Sequence, residues 1–303
     1  MDKVSIVVPL YNRAARVNDI IAMVESQTYS NLELIIVDDG SNDDPFGNVR
    51  NSGAISVKFV RQENQGANSA RNHGILKATG DYIALLDSDD YIYPEHIESS
   101  LKYLLHKPLR TIVYCQVRAI RGGGVQVIKP RRGNYKGENI SEYLLCKKGF
   151  IQTSTLFARK EVFQYVGFDE ALPSGQDTDF AIRASYHNYV FCMKSNITVD
   201  WDDEFDLLRI SSTPHPEKRI AWLNFSKHMI TSKAYKADRG WHYAKALYRK
   251  GMKGKFLSLY YFISAVFSRC YSPKMALEVF LQITISKKNY HRISDFLISR
   301  GVK

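Results

Sequence analysis

Residues Val4–Leu10, VSIVVPL, are apolar almost throughout and rich in β-branched side chains, a composition typical of a strand that is covered on both faces. Downstream, four apolar residues recur at the i, i+3, i+4, i+7 spacing of one helical face, and these are Val17, Ile20, Ile21 and Val24. Residues 34–37, LIIV, then return to a short apolar run. Strand, helix and strand in this order predict a βαβ unit, and therefore a parallel sheet with a right-handed crossover.

The same alternation continues to residue 86. Residues 57–60 and 82–86 are further strand candidates, separated by a helix candidate near 67–78. We therefore predict a doubly wound α/β domain with a mainly parallel sheet. Ligands of such sheets bind beyond the carboxyl ends of the strands. Polar residues follow three of the predicted strands at this edge, namely Tyr11-Asn12, Asp38-Asp39-Gly40-Ser41 and Asp87-Ser88-Asp89-Asp90.

Three carboxylates fall within the four positions of DSDD, residues 87–90. Close like charges repel one another unless water or a cation lies among them, and an ordinary solvated turn is the alternative because turns favour Asp. As a site, Asp87 and Asp89 would offer hard oxygens to Mg²⁺ or Mn²⁺, which typically takes one or two carboxylates. Tyr11 would offer a ring that stacks on a base, and Asp39 would accept from a base or a ribose.

Several classes of protein are made unlikely by what the sequence lacks. No GxGxxG follows the first strand and no GxxxxGK[ST] occurs, which argues against a dinucleotide-binding fold and a P-loop NTPase. The four cysteines have neither CxxC nor zinc spacing, so they fit a reducing compartment. The chain opens on a strand-like run, and no apolar segment reaches about 18 residues, so we expect a cytoplasmic protein.

The net charge of +11 is unevenly distributed along the chain. Residues 207–303 contain 19 Lys or Arg and 4 Asp or Glu, a net charge of +15, whereas residues 1–206 contain 23 and 27, a net charge of −4. The two parts therefore face different partners. We predict a boundary near 205–215, between a domain at 1–210 and a basic helical region at 211–303.

Four motifs, in this order and at these spacings, resemble the donor half of glycosyltransferase family 2. They are VSIVVPLYN (4–12), ELIIVDDGSND (33–43), NQGANSARNHGI (64–75) and ALLDSDDYIYPEHI (84–97). The resemblance covers residues 3–105 densely and reaches more thinly to about 215. It implies the GT-A fold, with residues 1–105 as a nucleotide-sugar half and 106–210 as an acceptor half, and it implies a nucleotide-diphosphate sugar as donor, a UDP-sugar being favoured.

The resemblance also implies roles for individual residues. The nucleoside would contact Pro9, Tyr11 and Asp39, with Asp39 facing the base. The DxD motif would be Asp87-Ser88-Asp89, in which Asp89 ligates Mn²⁺ or Mg²⁺ and Asp87 lies nearer the ribose or a metal-bound water. Arg71, a permanent cation suited to phosphate, would belong to the donor site, and its alternative role is an ordinary ion pair.

Asp177 is the candidate catalytic base. In SGQDTDFAIRA, residues 174–184, acids precede a predicted helix, and the helix dipole alone would favour them there. In the family a Glu-Asp pair stands at this point and its Asp is the base, whereas this chain has Gln176-Asp177, which leaves the role of the Glu open. Arg209 and His215 are further candidates for a segment that closes over the donor, with an ordinary surface role as the alternative.

The basic C-terminal region has a helical pattern. We predict helices at 219–233, 241–249, 256–267 and 275–285. The apolar run 256–267 has Lys and Arg on both sides and is too short to span a bilayer, so we expect residues 215–303 to contact an anionic membrane surface peripherally. The alternative is a helical subdomain whose charges are merely solvated.

The sequence therefore predicts an inverting, metal-dependent glycosyltransferase that works at the inner face of the cytoplasmic membrane. Its acceptor would be a saccharide or lipid-linked saccharide of a bacterial surface polysaccharide, O-antigen or capsule. The family's processive synthases carry QxxRW, which this chain lacks, so we expect one sugar per encounter. Two alternatives stay open, a sugar-nucleotide nucleotidyltransferase and a non-catalytic basic protein that binds membrane or nucleic acid. We expect no nucleic-acid partner, because an acid-lined crevice repels a polyanion.

Overall fold

The computed structural model describes residues 2–47, 49–50, 53–121, 125–172, 174–203 and 215–299. The described strands are β1 (Val4–Leu10), β2 (Leu32–Asp38), β3 (Ser56–Arg61), β4 (Tyr82–Leu85), β5 (Tyr91–Ile92), β6 (Thr111–Cys115), β7 (Val117–Arg121), β8 (Val125–Lys129), β9 (Phe157–Arg159), β10 (Val190–Lys194) and β11 (Val199–Asp202). The described helices are α1 (Val17–Glu25), α2 (Ala67–Lys77), α3 (His96–Leu105), α4 (Ile140–Cys146), α5 (Lys160–Val166), α6 (Gln176–Tyr186), α7 (Pro216–Phe225), α8 (Ser232–Asp238), α9 (Ala244–Leu247), α10 (Gly251–Phe267), α11 (Pro273–Thr284) and α12 (Lys287–Ser299).

The chain forms two compact units. The first contains residues 2–134 and 150–203, and the second contains residues 135–149 together with 215–299 among those described. Residues 135–149 were assigned to the acceptor half from the sequence. They join the second unit because α4 packs within it, where the backbone N–H of Thr231 donates to the Ser141 hydroxyl over 3.3 Å.

The first unit is built on a seven-stranded sheet in the order β10-β6-β9-β4-β1-β2-β3. Strand β9 runs antiparallel to β4 and β6, and the other described neighbours in this sheet are parallel. Every residue of β1 and β2 is buried, and the four apolar residues predicted for the inner face of α1 are buried as well. These observations confirm the predicted α/β class with a mainly parallel sheet.

A second, smaller sheet in the same unit has the order β5-β11-β7-β8. Strand β11 is antiparallel to β5 and parallel to β7, and β7 pairs with β8 in an antiparallel hairpin. Because β5 follows the DSDD segment directly, this sheet begins where the acidic residues end.

The second unit is helical. Its buried Asp238 accepts a hydrogen bond from Arg219 Nε over 2.9 Å and lies 3.3 Å from His242 Nδ1. The prediction of one continuous helix at 219–233 is wrong, because α7 ends at Phe225 and α8 begins after Thr231. The Thr231 hydroxyl caps α8 by accepting from the Ala234 N–H over 3.0 Å, and such a cap starts a new helix. Helix α12 was not predicted from the sequence.

Within the part of the chain that the structure describes, no helix has both the length and the apolar character that a membrane span requires.

Candidate active site

The site lies at the carboxyl ends of β1 and β4, where the strand order of the large sheet reverses. Strands β2 and β3 continue from one side of β1, whereas β4 and β9 lie on the other, and such a reversal leaves a crevice between adjacent loops. Pro9 is buried within β1, and Tyr11, directly after it, is 46% exposed. Arg13, in the loop after β1, lies 3.3 Å from a carboxylate oxygen of Asp89, in the loop after β4. The two loops are therefore joined by an ion pair.

Asp39 organises the turn that precedes α2. Its carboxylate accepts from the side chain of Gln62 over 2.8 Å, and from the backbone N–H groups of Gln65 over 2.9 Å and Gly66 over 2.8 Å. A carboxylate has about four acceptor positions, so the three bonds leave room for one further donor, such as a base N–H.

Arg71, which is buried, forms an ion pair with Asp87, which is partly exposed. Helix α2 places the Arg71 guanidinium 2.6 Å from Asp87 Oδ1 and 2.9 Å from Asn68 Oδ1, above the ring of Phe168 at 5.5 Å. Arg71 is 3% exposed, and its Nε has no hydrogen-bond partner among the described residues. The pair is therefore fixed in position by packing, and it keeps one unsatisfied N–H donor.

Ser88 and Asp90, the second and fourth residues of DSDD, are both buried. Ser88 is buried, and its backbone carbonyl accepts from Arg16 Nε over 3.4 Å. The Asp90 carboxylate is buried and accepts from Gln152 Nε2 and from the Ser154 hydroxyl, each over 2.5 Å. Burial, together with the charges of Asp87 and Asp89, raises the pKa of Asp90 well above its usual value. Residues 152 and 154 therefore anchor the end of the DSDD segment through Asp90.

Asp177 stands at the second position of α6, where the Thr153 hydroxyl donates to its Oδ1. Burial raises the pKa of Asp177 to about 6, the Thr153 hydrogen bond opposes that rise, and the charges of Asp87 and Arg71 act on it in opposite directions. Asp177 is therefore within reach of the charges of both Arg71 and Asp87. A carboxyl group with this pKa is largely ionised at neutral pH and can accept a proton.

One short segment, residues 152–154, connects the acids of the site. In addition to the bonds already described, the Ser154 hydroxyl accepts from the Asp87 backbone N–H over 2.9 Å. Strand β9 is antiparallel to β4 and pairs Phe157 with Ala84, so the residues just before β9 lie at the carboxyl end of β4. The sequence signal was a run of four buried polar residues, 152–155, between apolar ones. The support that it gives to the acids was missed because the contacts join residues 24 to 67 positions apart.

A cavity of about 320 Å³ adjoins the DSDD segment and is lined by Asp89, Tyr91, Ile120, Asp200 and Asp202. Asp200 is held by Arg118, whose Nε lies 2.8 Å from Oδ1. The described residues contain no group of three or more His, Cys, Asp or Glu arranged to hold a metal. The carboxylates of Asp87 and Asp89 therefore do not belong to an all-protein cage. They fit a hard cation that takes one or two carboxylates and leaves its other positions to water and phosphate.

Two further candidates, Arg209 and His215, were named from the sequence. Arg209 lies outside the described residues. His215 is exposed and precedes the first turn of α7 without a side-chain capping bond.

The fold and these side chains define an α/β protein with an acid-lined crevice at its strand-order reversal. A family model described as Glycosyl transferase family 2 matches residues 5–167. The chain therefore belongs to glycosyl transferase family 2, as the four motifs indicated.

Individual proteins agree with this assignment. Amylovoran biosynthesis glycosyltransferase AmsB of Erwinia amylovora is 34% identical over 200 residues, which cover 62% of this chain and 66% of that protein. An uncharacterized glycosyltransferase of Rickettsia felis is 34% identical over 181 residues, which cover 58% of this chain and 30% of that protein. The matched region thus spans less than two thirds of either relative.

Among solved structures, that of S. aureus TarS 1-349 in complex with UDP-GlcNAc has a TM-score of 0.64 at 17% identity and covers 99% of this chain and 92% of TarS 1-349. At this identity the likeness concerns the fold, and it supports the GT-A expectation.

Proposed function

We propose that this protein is an inverting, metal-dependent glycosyltransferase that moves one sugar from a nucleotide-diphosphate sugar to a hydroxyl of a saccharide or lipid-linked saccharide. The observation that carries the proposal is the segment 152–154. It holds Asp90 and the backbone of Asp87 on one side and Asp177 on the other. Donor-binding acids and a general base supported by the same three residues can act on one substrate.

The donor end of the reaction belongs to the crevice between β1 and β4. The exposed ring of Tyr11 would stack on the base, with Pro9 behind it, and Asp39 would accept from the base through its remaining acceptor position. Ser88 would hold the DxD backbone in place through its carbonyl contact with Arg16. A UDP-sugar is the favoured donor, since TarS binds UDP-GlcNAc in a related fold.

A divalent cation, Mn²⁺ or Mg²⁺, fits the donor set and would be held by Asp89 with Asp87 nearby. When bound, it supplies positive charge against the diphosphate leaving group. Arg71 holds Asp87 in place over 2.6 Å, and its guanidinium adds a permanent cation at the same end of the site. Packing around the buried Arg71 holds the pair in place, so little reorganisation is needed as charge develops.

The acceptor end belongs to Asp177. Its carboxylate takes the proton of the acceptor hydroxyl while the hydroxyl oxygen forms a bond to the sugar C1. The bond from C1 to the diphosphate oxygen breaks on the opposite face, and the nucleoside diphosphate leaves with the electron pair. The anomeric centre inverts in a single step.

The biological setting that fits is surface polysaccharide assembly in a bacterium. AmsB, which is 34% identical over the matched region, is named for amylovoran biosynthesis. The acceptor would then be O-antigen, capsule or a related saccharide on a lipid carrier, reached at the inner face of the cytoplasmic membrane. Nucleic acid has no place in this reaction.

Calorimetric titration of UDP-, GDP- and dTDP-sugars, each with and without Mn²⁺, tests the proposal. We expect the wild type to bind one of the donors, and to bind it only when Mn²⁺ is present. Asp89→Ala should lose that binding. Glu161→Ala is the matched control, because Glu161 is an exposed acid that follows β9 at the end of the sheet where β4 begins, and it should bind as the wild type does. Failure of the wild type to bind any donor with either ion would refute the proposal.

A further inference from the structure

Helix α10 buries small side chains on one face and exposes large apolar side chains on the opposite face. The buried positions are Gly254, Ser258 and Ala265, and the Ser258 hydroxyl donates to the Ala244 carbonyl over 2.7 Å. Small residues let the helix pack closely on the rest of the second unit. Part of the apolar bulk of α10, on the opposite face, is therefore left exposed and does not stabilise that unit.

The large apolar side chains form one stripe along the opposite face. They recur at intervals of three or four residues, which places them together on one side of a helix, and they are Met252, Phe256, Tyr260, Ile263 and Phe267. We call these five residues the α10 stripe. Their exposed fractions run from 49% for Ile263 to 84% for Phe267. A contiguous apolar surface of this kind marks an interaction site.

The surroundings of the α10 stripe are basic. Lys253 and Lys255 are exposed, and the helical repeat of 100° per residue puts them on opposite flanks of the stripe. Between residues 249 and 274 the sequence has no Asp or Glu and six basic residues, which are Arg249, Lys250, Lys253, Lys255, Arg269 and Lys274. The partner must therefore combine an apolar layer with negative charge.

We infer that the α10 stripe docks on the surface of an anionic phospholipid bilayer, with α10 lying in the plane of the interface. An apolar face with flanking Lys residues suits the boundary between headgroups and acyl chains, and each basic residue near such a surface adds to the attraction. A second copy of this chain is a poorer occupant, because it would bring like charges at 249–255 against each other. Docking would keep the enzyme at the membrane that carries a lipid-linked acceptor. Membrane binding of α10 is a property separate from the proposed sugar transfer.

Co-sedimentation with vesicles tests the inference on the full chain. The vesicles are phosphatidylcholine alone, or phosphatidylcholine and phosphatidylglycerol in equal parts. We expect the wild type to sediment with the anionic vesicles and not with the neutral ones. The double variant Phe256→Ser/Phe267→Ser removes two exposed rings and should lower the partition coefficient at least about tenfold.

Two further variants separate the contributions. Lys253→Glu/Lys255→Glu keeps the apolar face and should weaken anionic binding about thirtyfold or more, with steep salt dependence. Leu76→Ser/Leu109→Ser is the matched control, because both side chains are 69% exposed but lie in the first unit, and it should bind vesicles as the wild type does. Circular dichroism and thermal melting check that each variant is folded.

Three outcomes would overturn the inference. They are no sedimentation of the wild type with anionic vesicles, equal sedimentation with neutral vesicles, and equal loss in the control variant. A dimer in light scattering that Phe256→Ser/Phe267→Ser abolishes, without vesicle binding, would assign the stripe to self-association instead. Donor binding measured in parallel keeps this result separate from the proposed activity.

Discussion

Replacement of Thr153 by valine should displace the pH dependence of sugar transfer without abolishing it. The Thr153 hydroxyl donates to Asp177 Oδ1 and lowers the pKa of that carboxyl, which burial raises to about 6. Valine keeps the shape of threonine and removes the donor. The ionised form of Asp177 then loses its described hydrogen bond, so its pKa should rise further.

The size of the effect follows from the energy of the bond. A hydrogen bond to a charged group contributes about 1.5–3 kcal/mol, and about 1.4 kcal/mol corresponds to one pKa unit. The pKa of Asp177 should therefore rise by about one to two units from about 6. At pH 7 the ionised fraction would fall from about nine tenths to between about a half and a tenth, so kcat should fall about two- to tenfold. By about pH 9 it should recover.

The assay is kcat for sugar transfer between about pH 5 and pH 9, with the donor identified by calorimetry. Thr155→Val is the matched control. Thr155 is also buried and lies in the same turn, but its hydroxyl donates to the Gln152 backbone carbonyl over 2.7 Å. Its profile should keep the wild-type midpoint. Loss of rate by the same factor at every pH in Thr153→Val, or a matching displacement in Thr155→Val, would refute the reasoning.

Three further predictions concern the base, a buried lysine and a strained turn. Asp177→Asn should lower kcat about 10²–10⁴-fold and leave the calorimetric donor affinity unchanged, and a loss of affinity of similar size would contradict the assignment. Burial lowers the pKa of Lys194 from 10.5 to about 8. Between these two pH values Lys194 is protonated in the unfolded chain and mostly neutral in the folded one, so the free energy of unfolding should rise with pH over this interval. Urea unfolding of the wild type should show that rise relative to Lys194→Met, and parallel curves would exclude it. Gly40 has a φ of +75°, and a Cβ there would lie 2.8 Å from the Asn64 backbone nitrogen, so Gly40→Ala should destabilise folding by about 1–3 kcal/mol in the same assay.

The elements that the sequence predicts correctly are those that depend on local pattern. The apolar run of β1 and the helical spacing of α1 indicate burial directly, and those residues are buried. The DSDD segment was placed correctly after a buried strand for the same reason. In the second unit the apolar pattern indicated helices, but the predicted helix at 219–233 continued through the break at 229–231. Apolar spacing gives no sign of the Thr231 cap.

The candidate site was predictable only in part. Tyr11, Asp39, Asp87 and Asp89 follow strands that share one sheet edge, so their convergence follows from topology. The roles of Thr153 and Ser154 could not be predicted from the sequence. The strand that positions them, β9, has only three residues, which are too few to show the alternation of a strand.

The sequence by itself determined the class of fold, the family and the acids at the strand ends, because each depends on residues close together in the chain. Only the tertiary structure decided which groups support those acids. The antiparallel insertion of β9 between β4 and β6 carries residues 152–154 to the DSDD segment and to Asp177. Helix packing likewise decided which face of α10 is left exposed. Both results depend on contacts between distant segments, and the energies of such contacts are set by the packed structure and not by local pattern.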